Sequence, residues 1–197
     1  MIYTNGTEAV CVASKCGSNT LSCAGPAHGW WELKDARDLR AVQQVHCVVR
    51  QPLLRLLSAW RMYFVLPVIQ WQNTGDWHKV YSHLNADRAL PWAKIHRADI
   101  WVQPVQTFHR FLREELPYWL ELEDPHFMSQ WHTYRGLSRY TDVRYHRDLT
   151  QLQLELGWTP QHQHRGIWPW QYVEEHDFVI AAPQLPHLED DWRIYDK

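Results

Sequence analysis

Small apolar residues run from Ala9 to Ser14 (AVCVAS), two valines among them, the pattern of a short strand buried on both faces. A polar junction follows, Lys15-Cys16-Gly17-Ser18-Asn19-Thr20, and then LSCA before Gly25-Pro26. A helix is predicted to start near Ser18 and to stop at that Gly-Pro pair. The same order recurs from Val42. An apolar β-branched run, VHCVV at 45–49, ends in Arg50, and Gln51-Pro52 opens a helix with proline near its first position. Leu53, Leu57, Trp60 and Phe64 keep helical spacing and are expected to face the core, whereas Arg55, Ser58 and Arg61 lie three apart on a different stripe.

Between 67 and 107 the pattern weakens, and Gly75, Asp76 and prolines read as loop markers. TFHRFLREEL at 107–116 reads as a helix capped by Thr107. DPHFMSQWHTY at 124–134 reads as a turn leading into a helix or irregular segment. DVRYH at 142–146 is a predicted strand, and DLTQLQLEL at 148–156 a predicted helix closed by Gly157. Residues 158–175, rich in His, Gln, Trp and Pro, read as loop, and DFVIAA at 177–182 as a strand or helix before an acidic tail.

No repeat or shift of composition divides the chain, so one domain over 1–197 is expected. Two apolar strands, each feeding a helix through a polar junction, predict an α/β domain with a parallel sheet. Ligands of such sheets bind beyond the carboxyl ends of the strands, which assigns Lys15–Thr20 and Arg50–Ser58 to one rim.

Composition narrows the function classes. The 197 residues, 45% apolar and 21% charged, suit a well-buried globular domain, and 13 tryptophans argue against disorder. A net charge of -2 gives no footprint for nucleic acid. No apolar run approaches the roughly 20 residues of a bilayer span. The opening MIYTNGTEAV lacks the basic-then-apolar order of a secretory leader, so a cytoplasmic location is expected. The glycosylation pattern NGT at 5–7 is then idle. Cys11, Cys16, Cys23 and Cys47 fit neither a zinc ribbon nor a disulfide framework and are expected to be free thiols. His162 and His164 have no neighbouring cysteine or carboxylate to complete a metal site, so no metal is expected.

The first junction carries chemistry. Gly17 permits a tight backbone turn, and amides at a helix start attract anions through free N–H groups and the helix dipole. Lys15 adds a positive charge, and Ser18 and Thr20 add hydroxyl donors. The set suits a phosphate or sulfate. Because the lysine precedes the glycine, it is not the Walker nucleotide loop.

Ser14–Leu21, S-K-C-G-S-N-T-L, resembles the 5′-phosphosulfate loop of the sulfotransferases, with Ser14 where proline is frequent and Asn19 where a hydroxyl residue is frequent. V-V-R-Q-P-L-L-R-L-L-S-A-W at 48–60 is similar to the 3′-phosphate segment of the carbohydrate sulfotransferases. Arg50, Pro52, Arg55, Ser58, Ala59 and Trp60 fall in register with it. D-P-H-F-M-S-Q at 124–130 is similar to a further segment of that group. With 29 residues at 21–49 between the first two motifs, the chain resembles a compact, bacterial or phage-like form.

The resemblance implies a P-loop-like three-layer α/β fold, its central parallel sheet flanked by helices. It implies transfer of a sulfuryl group from 3′-phosphoadenosine 5′-phosphosulfate (PAPS) to a carbohydrate or small-molecule acceptor, with 3′-phosphoadenosine 5′-phosphate (PAP) as product. Lys15 would bind the bridging oxygen that leaves. Cys16, Gly17, Ser18, Asn19 and Thr20 would hold the 5′-phosphate, and Arg50 and Ser58 the 3′-phosphate. The general base implied by the family is a histidine or glutamate, and His28, Glu32 and His126 are the candidates; His126 is also a candidate contact for the acceptor. His46 falls inside a predicted buried strand. Trp30, Trp31, Trp168 and Trp170 sit among turn residues, either as an aromatic platform for the acceptor or as packing. Two other readings are a binding module that keeps the pocket without catalysis, and a P-loop kinase relative, which the absent Walker lysine disfavours.

Overall fold

Alternation is absent from the two valine-rich runs, and both become interior strands with almost every residue buried. In the computed structural model, which describes residues 1–80, 86–161, 170, 173–180 and 182–196, β1 spans Ile2–Thr4, β2 Glu8–Val12, β3 Trp31–Glu32, β4 Gln44–Val48 and β5 Asp142–His146. They form one mixed sheet in the order β3-β1-β2-β4-β5. β2, β4 and β5 are parallel, with Cys11 opposite Cys47 and Val45 opposite Val143.

The expected parallel sheet is therefore only its central and β5 side. β1 pairs antiparallel with β2 and with β3. The β1–β2 turn is built on Asn5-Gly6, where Gly6 has φ 93 and the Asn5 carboxamide accepts from the Thr7 and Glu8 amides. Asn-Gly between two strands is a hairpin signal, and the residues read as a glycosylation pattern are this turn.

The helices are α1 Ser18–Ala27, α2 Pro52–Trp60, α3 Leu66–Thr74, α4 Ala86–Ile95, α5 Arg97–Val102, α6 Pro104–Glu114, α7 Leu116–Glu121, α8 Gln130–Tyr134, α9 Leu149–Glu155, α10 Asp177–Ile180 and α11 Glu189–Tyr195. The weakly patterned stretch from 67 to 107 is thus mostly helical. Its prolines open helices or sit within them rather than marking loops: Pro67 and Pro104 occupy first-turn positions, where a missing N–H costs nothing. Thr107 lies inside α6, not at its cap, and its hydroxyl donates back to the Gln103 carbonyl. α1 runs two residues past Gly25, because Pro26 falls in its last turn and Gly25 lets Tyr3 approach to 3.4 Å from where a Cβ would be.

α2, a π-helical turn at Arg61–Val65 and α3 form one helical run, Pro52–Thr74, of 23 residues. By length and composition it could cross a bilayer, which a count of uninterrupted apolar residues does not register. Of its most apolar window 67% is buried within the protein, the condition of a core helix.

The chain groups into two compact units. The first comprises Met1–Pro52, Met128–Ile167 and Leu185–Lys197, and the second Leu53–Phe127 and Trp168–Gln184. The first holds the sheet, and its core joins Val10, Cys11, Val45 and Cys47 to Leu21 and Ala24 of α1, Leu152 of α9 and Ile194 of α11. In the second, Trp60 packs against Phe108, Trp170 and Phe178, and the Trp170 indole donates to the Ile100 carbonyl. Trp170 is thereby a core residue and no platform; Trp168, His162 and His164 lie outside the described residues.

A partly buried polar chain runs from Glu8 on β2 through His46 and His146 to Glu155 on α9. His46 Nδ1 and His146 Nε2 are 2.9 Å apart, with Glu8 at 3.4 Å from His46 and Glu155 at 3.8 Å from His146. Burial, then the His46 charge, lowers the His146 pKa; Arg144 adds to this and Glu155 opposes it. A histidine depressed in the folded state binds its proton more readily when unfolded, so its contribution to stability is present above the ordinary histidine pKa and is lost as pH falls. The stability difference between wild type and His146→Gln should therefore shrink from pH 7 to pH 5, by at most about 1.4 kcal/mol per pH unit. Urea denaturation at the two pH values checks this, and a difference independent of pH would exclude the assignment.

Candidate functional site

β2 and β4 are parallel neighbours, so the segments that follow them emerge at the same edge of the sheet. After β2 the chain turns at once: the Cys16 amide donates to the Ala13 carbonyl at 3.2 Å, with Lys15 at φ 66. Gly17 follows at φ 98, a conformation that favours glycine. α1 then starts, its first internal bond running from the Leu21 amide to the Gly17 carbonyl. The first turn of α1 contains no acidic residue and no side-chain cap. Its leading amides have no acceptor within the helix, and the helix dipole places positive potential there.

Arg50 follows β4. Its guanidinium donates to the Lys15 carbonyl at 3.4 Å, which brings the two basic residues together. Burial pushes the Lys15 ammonium down to about 8, and the Arg50 charge beside it acts in the same direction. Two cations side by side at a helix start repel each other, and a bound anion relieves that repulsion.

The remaining loop residues divide by exposure. Cys16 and Thr20 are buried, Gly17 and Ser18 half-buried, and Asn19 exposed. The Cys16 thiol donates to the Gln130 side-chain oxygen at 2.9 Å. All four cysteines are free thiols, and of these Cys23 is exposed.

The positions of three further candidate groups follow from α1 and β3. His28 caps the far end of α1, about 15 Å along the helix axis from Ser18. Its ring stacks on Trp158, and its Nε2 accepts from the Thr159 amide at 3.2 Å. Glu32 is bound to Lys34 at 2.5 Å, and this hydrogen bond lowers its carboxyl pKa. Trp30 is buried edge-on against Trp158, while Trp31 is 52% exposed on β3, so the pair does not form one platform.

Ser58 and His126 belong to the second unit. Ser58 is half-buried on α2. The stripe it shares with Arg55 and Arg61 is not a solvent face: Arg55 is fully buried, and Arg61 lies 3.7 Å from Glu175. The Arg55 guanidinium donates to the carbonyls of His126 at 3.0 Å and Phe127 at 3.5 Å. His126 Nδ1 is 2.9 Å from Asp124 Oδ1 and 2.9 Å from the Tyr63 hydroxyl, which donates to the other Asp124 oxygen at 3.3 Å. The Asp124 carboxylate is buried, so the N–H of His126 is held on Nδ1, the tautomer whose Nε2 carries the lone pair.

Sequence reasoning missed Asp124 and Tyr63, and it gave Gln130 no role although the quoted motif ends on it. Among the described residues, no group of three or more His, Cys, Asp or Glu could hold a metal ion. The chain matches no family model, no curated protein and no solved structure.

Proposed function

We propose that the chain is a sulfotransferase that takes PAPS as donor on a P-loop-like α/β layout. The observation that carries the reading is the meeting of Lys15 and Arg50 at the uncapped start of α1, beyond two adjacent parallel strands. Two separate cations suit a donor with phosphate at both ends of its ribose better than one with phosphate at a single end. Arginine offers the 3′-phosphate a planar fork of donors. The α1 amides and Ser18 suit the 5′-phosphate.

In the reaction, an acceptor oxygen attacks the sulfur as the bond from sulfur to the bridging phosphate oxygen breaks. The electron pair leaves with PAP, and the acceptor proton passes to a base. Charge accumulates on the departing phosphate, and Lys15 is the cation suited to neutralise it. Of the three candidate bases, His126 is the one whose Nδ1 is bonded to a buried carboxylate, that of Asp124.

Thermal denaturation with PAP, AMP and ATP tests the reading. At a concentration of about 100 Kd, PAP should raise the melting temperature by roughly 5–10 °C, with far smaller shifts for AMP and ATP. Arg50→Ala should abolish the preference for PAP over AMP. Indifference of the wild-type protein to PAP would overturn the proposal; PAP binding without turnover on any carbohydrate or small hydroxyl acceptor would favour the binding module.

A further inference from the structure

We infer that Gln130 is a positioning residue that fixes the separation of the Lys15 turn from Arg50, and so selects ligands whose two anionic groups have a matching spacing. The inference rests on the reading of those two cations as one anion site.

Gln130 is fully buried at the start of α8. Its side-chain oxygen accepts from the Arg50 amide at 2.8 Å, and its side-chain nitrogen donates to the Arg50 carbonyl at 2.8 Å. This two-way pairing resembles what a neighbouring strand would supply, at a point where β4 has already ended. The same oxygen accepts from the Cys16 thiol, so one carboxamide is bonded to both junctions. Its orientation follows from its partners: the N–H and S–H groups require an acceptor, and the Arg50 carbonyl requires a donor.

The carboxamide is itself held. Its nitrogen lies 3.5 Å from Asp191 Oδ2, and Asp191 Oδ1 accepts from the Ser129 hydroxyl and the Trp131 amide. This fastens the start of α8 to α11. One turn further on, the buried Tyr134 hydroxyl accepts from the Ala13 amide and donates to the Val48 carbonyl. Residues four apart share a helix face. That face of α8 therefore ties the end of β2 to the end of β4 at two levels: through Tyr134 at Ala13, just past β2, and Val48, the last residue of β4, and at the anion junctions through Gln130.

A ligand with a single phosphate can follow either cation if the two drift apart. A ligand with two phosphates at fixed spacing cannot, and it loses a charge-assisted bond. Gln130→Leu should weaken PAP binding about tenfold or more, while AMP binding changes less than about threefold. Gln130→Glu adds a readout that a general loss of packing would not produce. As a carboxylate it lacks the donor for the Arg50 carbonyl, whereas its protonated form restores that donor. Its PAP affinity, relative to wild type at each pH, should therefore recover as pH falls from 8 to 5.

Calorimetric titration of PAP and AMP into the full chain measures these ratios, and hydrogen–deuterium exchange of the Arg50 amide reports the clamp without any ligand. Faster exchange at Arg50 in Gln130→Leu, with selective loss of PAP, is the expected result. Unchanged exchange, or a PAP-to-AMP ratio equal to that of wild type, would overturn the role of Gln130. Failure of the wild-type protein to bind PAP would overturn the anion-site reading instead. If Gln130→Leu does not fold, the pH recovery of Gln130→Glu decides the matter, and a flat ratio overturns the inference.

Discussion

Turnover of a Lys15→Ala variant is expected to fall by about two to three orders of magnitude, the usual effect of removing one charge-stabilising donor from a transition state. The residue sits in the turn directly after β2 with φ 66, a conformation uncommon for a lysine, and its charge is opposed by burial and by Arg50. Such an arrangement disfavours the protonated form in the free protein and pushes the ammonium down to about 8. Below that pH the lysine is charged, and above it the charge is lost. A bound dianion favours the charged form, so binding takes up a proton around pH 8–9 and PAP affinity should fall as pH rises through that range. Stability has the opposite sign. A lysine depressed in the folded state costs stability at neutral pH, and the cost disappears as pH rises from about 8 toward the ordinary lysine value. Lys15→Ala should thus lose turnover without losing stability. Lys15→Arg, which stays charged, should flatten the pH dependence of binding. Single-turnover kinetics and PAP titrations at pH 7 and 9 measure both effects; an alanine variant with wild-type turnover would exclude Lys15 from the chemistry.

The parts of this site that were legible in the sequence are those set by local chemistry. Valines without alternation gave β2 and β4, Gly17 marked the left-handed turn, and Pro52 opened α2. Strand β5 and helix α9 were legible for the same reason, with Asp148 accepting from the first-turn amides of α9. What was not legible depends on residues distant in the chain. Gln130 meets Arg50 across 80 positions and Cys16 across 114, and the motif that ends on Gln130 carries no sign of either partner. β1 and β3 are too short to show a period; β3 is held by pairing with β1, and β1 by pairing with β3 and β2. Proline was overweighted as a breaker. In α1 it falls where the helix is ending anyway, in the last turn before His28. Arg55 is the opposite case, a charged residue whose position in an apolar helix gave no hint that it would be buried.

Replacing Arg55 with alanine is expected to cost about 3 kcal/mol of stability. The long side chain is fully enclosed, and its guanidinium supplies donors to the carbonyls of His126 and Phe127. Alanine leaves a cavity of several methylene groups and takes donors from two main-chain acceptors, each deletion costing about 1–3 kcal/mol on its own. Relief from burying a cation offsets part of that sum. Arg55→Met separates the contributions: it fills the cavity and removes the charge but still takes away the donors, so it should lose less than alanine. The two carbonyls belong to the turn that begins at Asp124, where the Phe127 amide donates to the Asp124 carbonyl. Loosening them should also disturb the contacts of His126 with Asp124 and Tyr63. Amide exchange at 126–128 should therefore speed up in both variants, and more in alanine than in methionine. Guanidinium denaturation gives the stability difference. A loss below about 0.5 kcal/mol, within the range of an ordinary surface substitution, would show that Arg55 does not hold the turn.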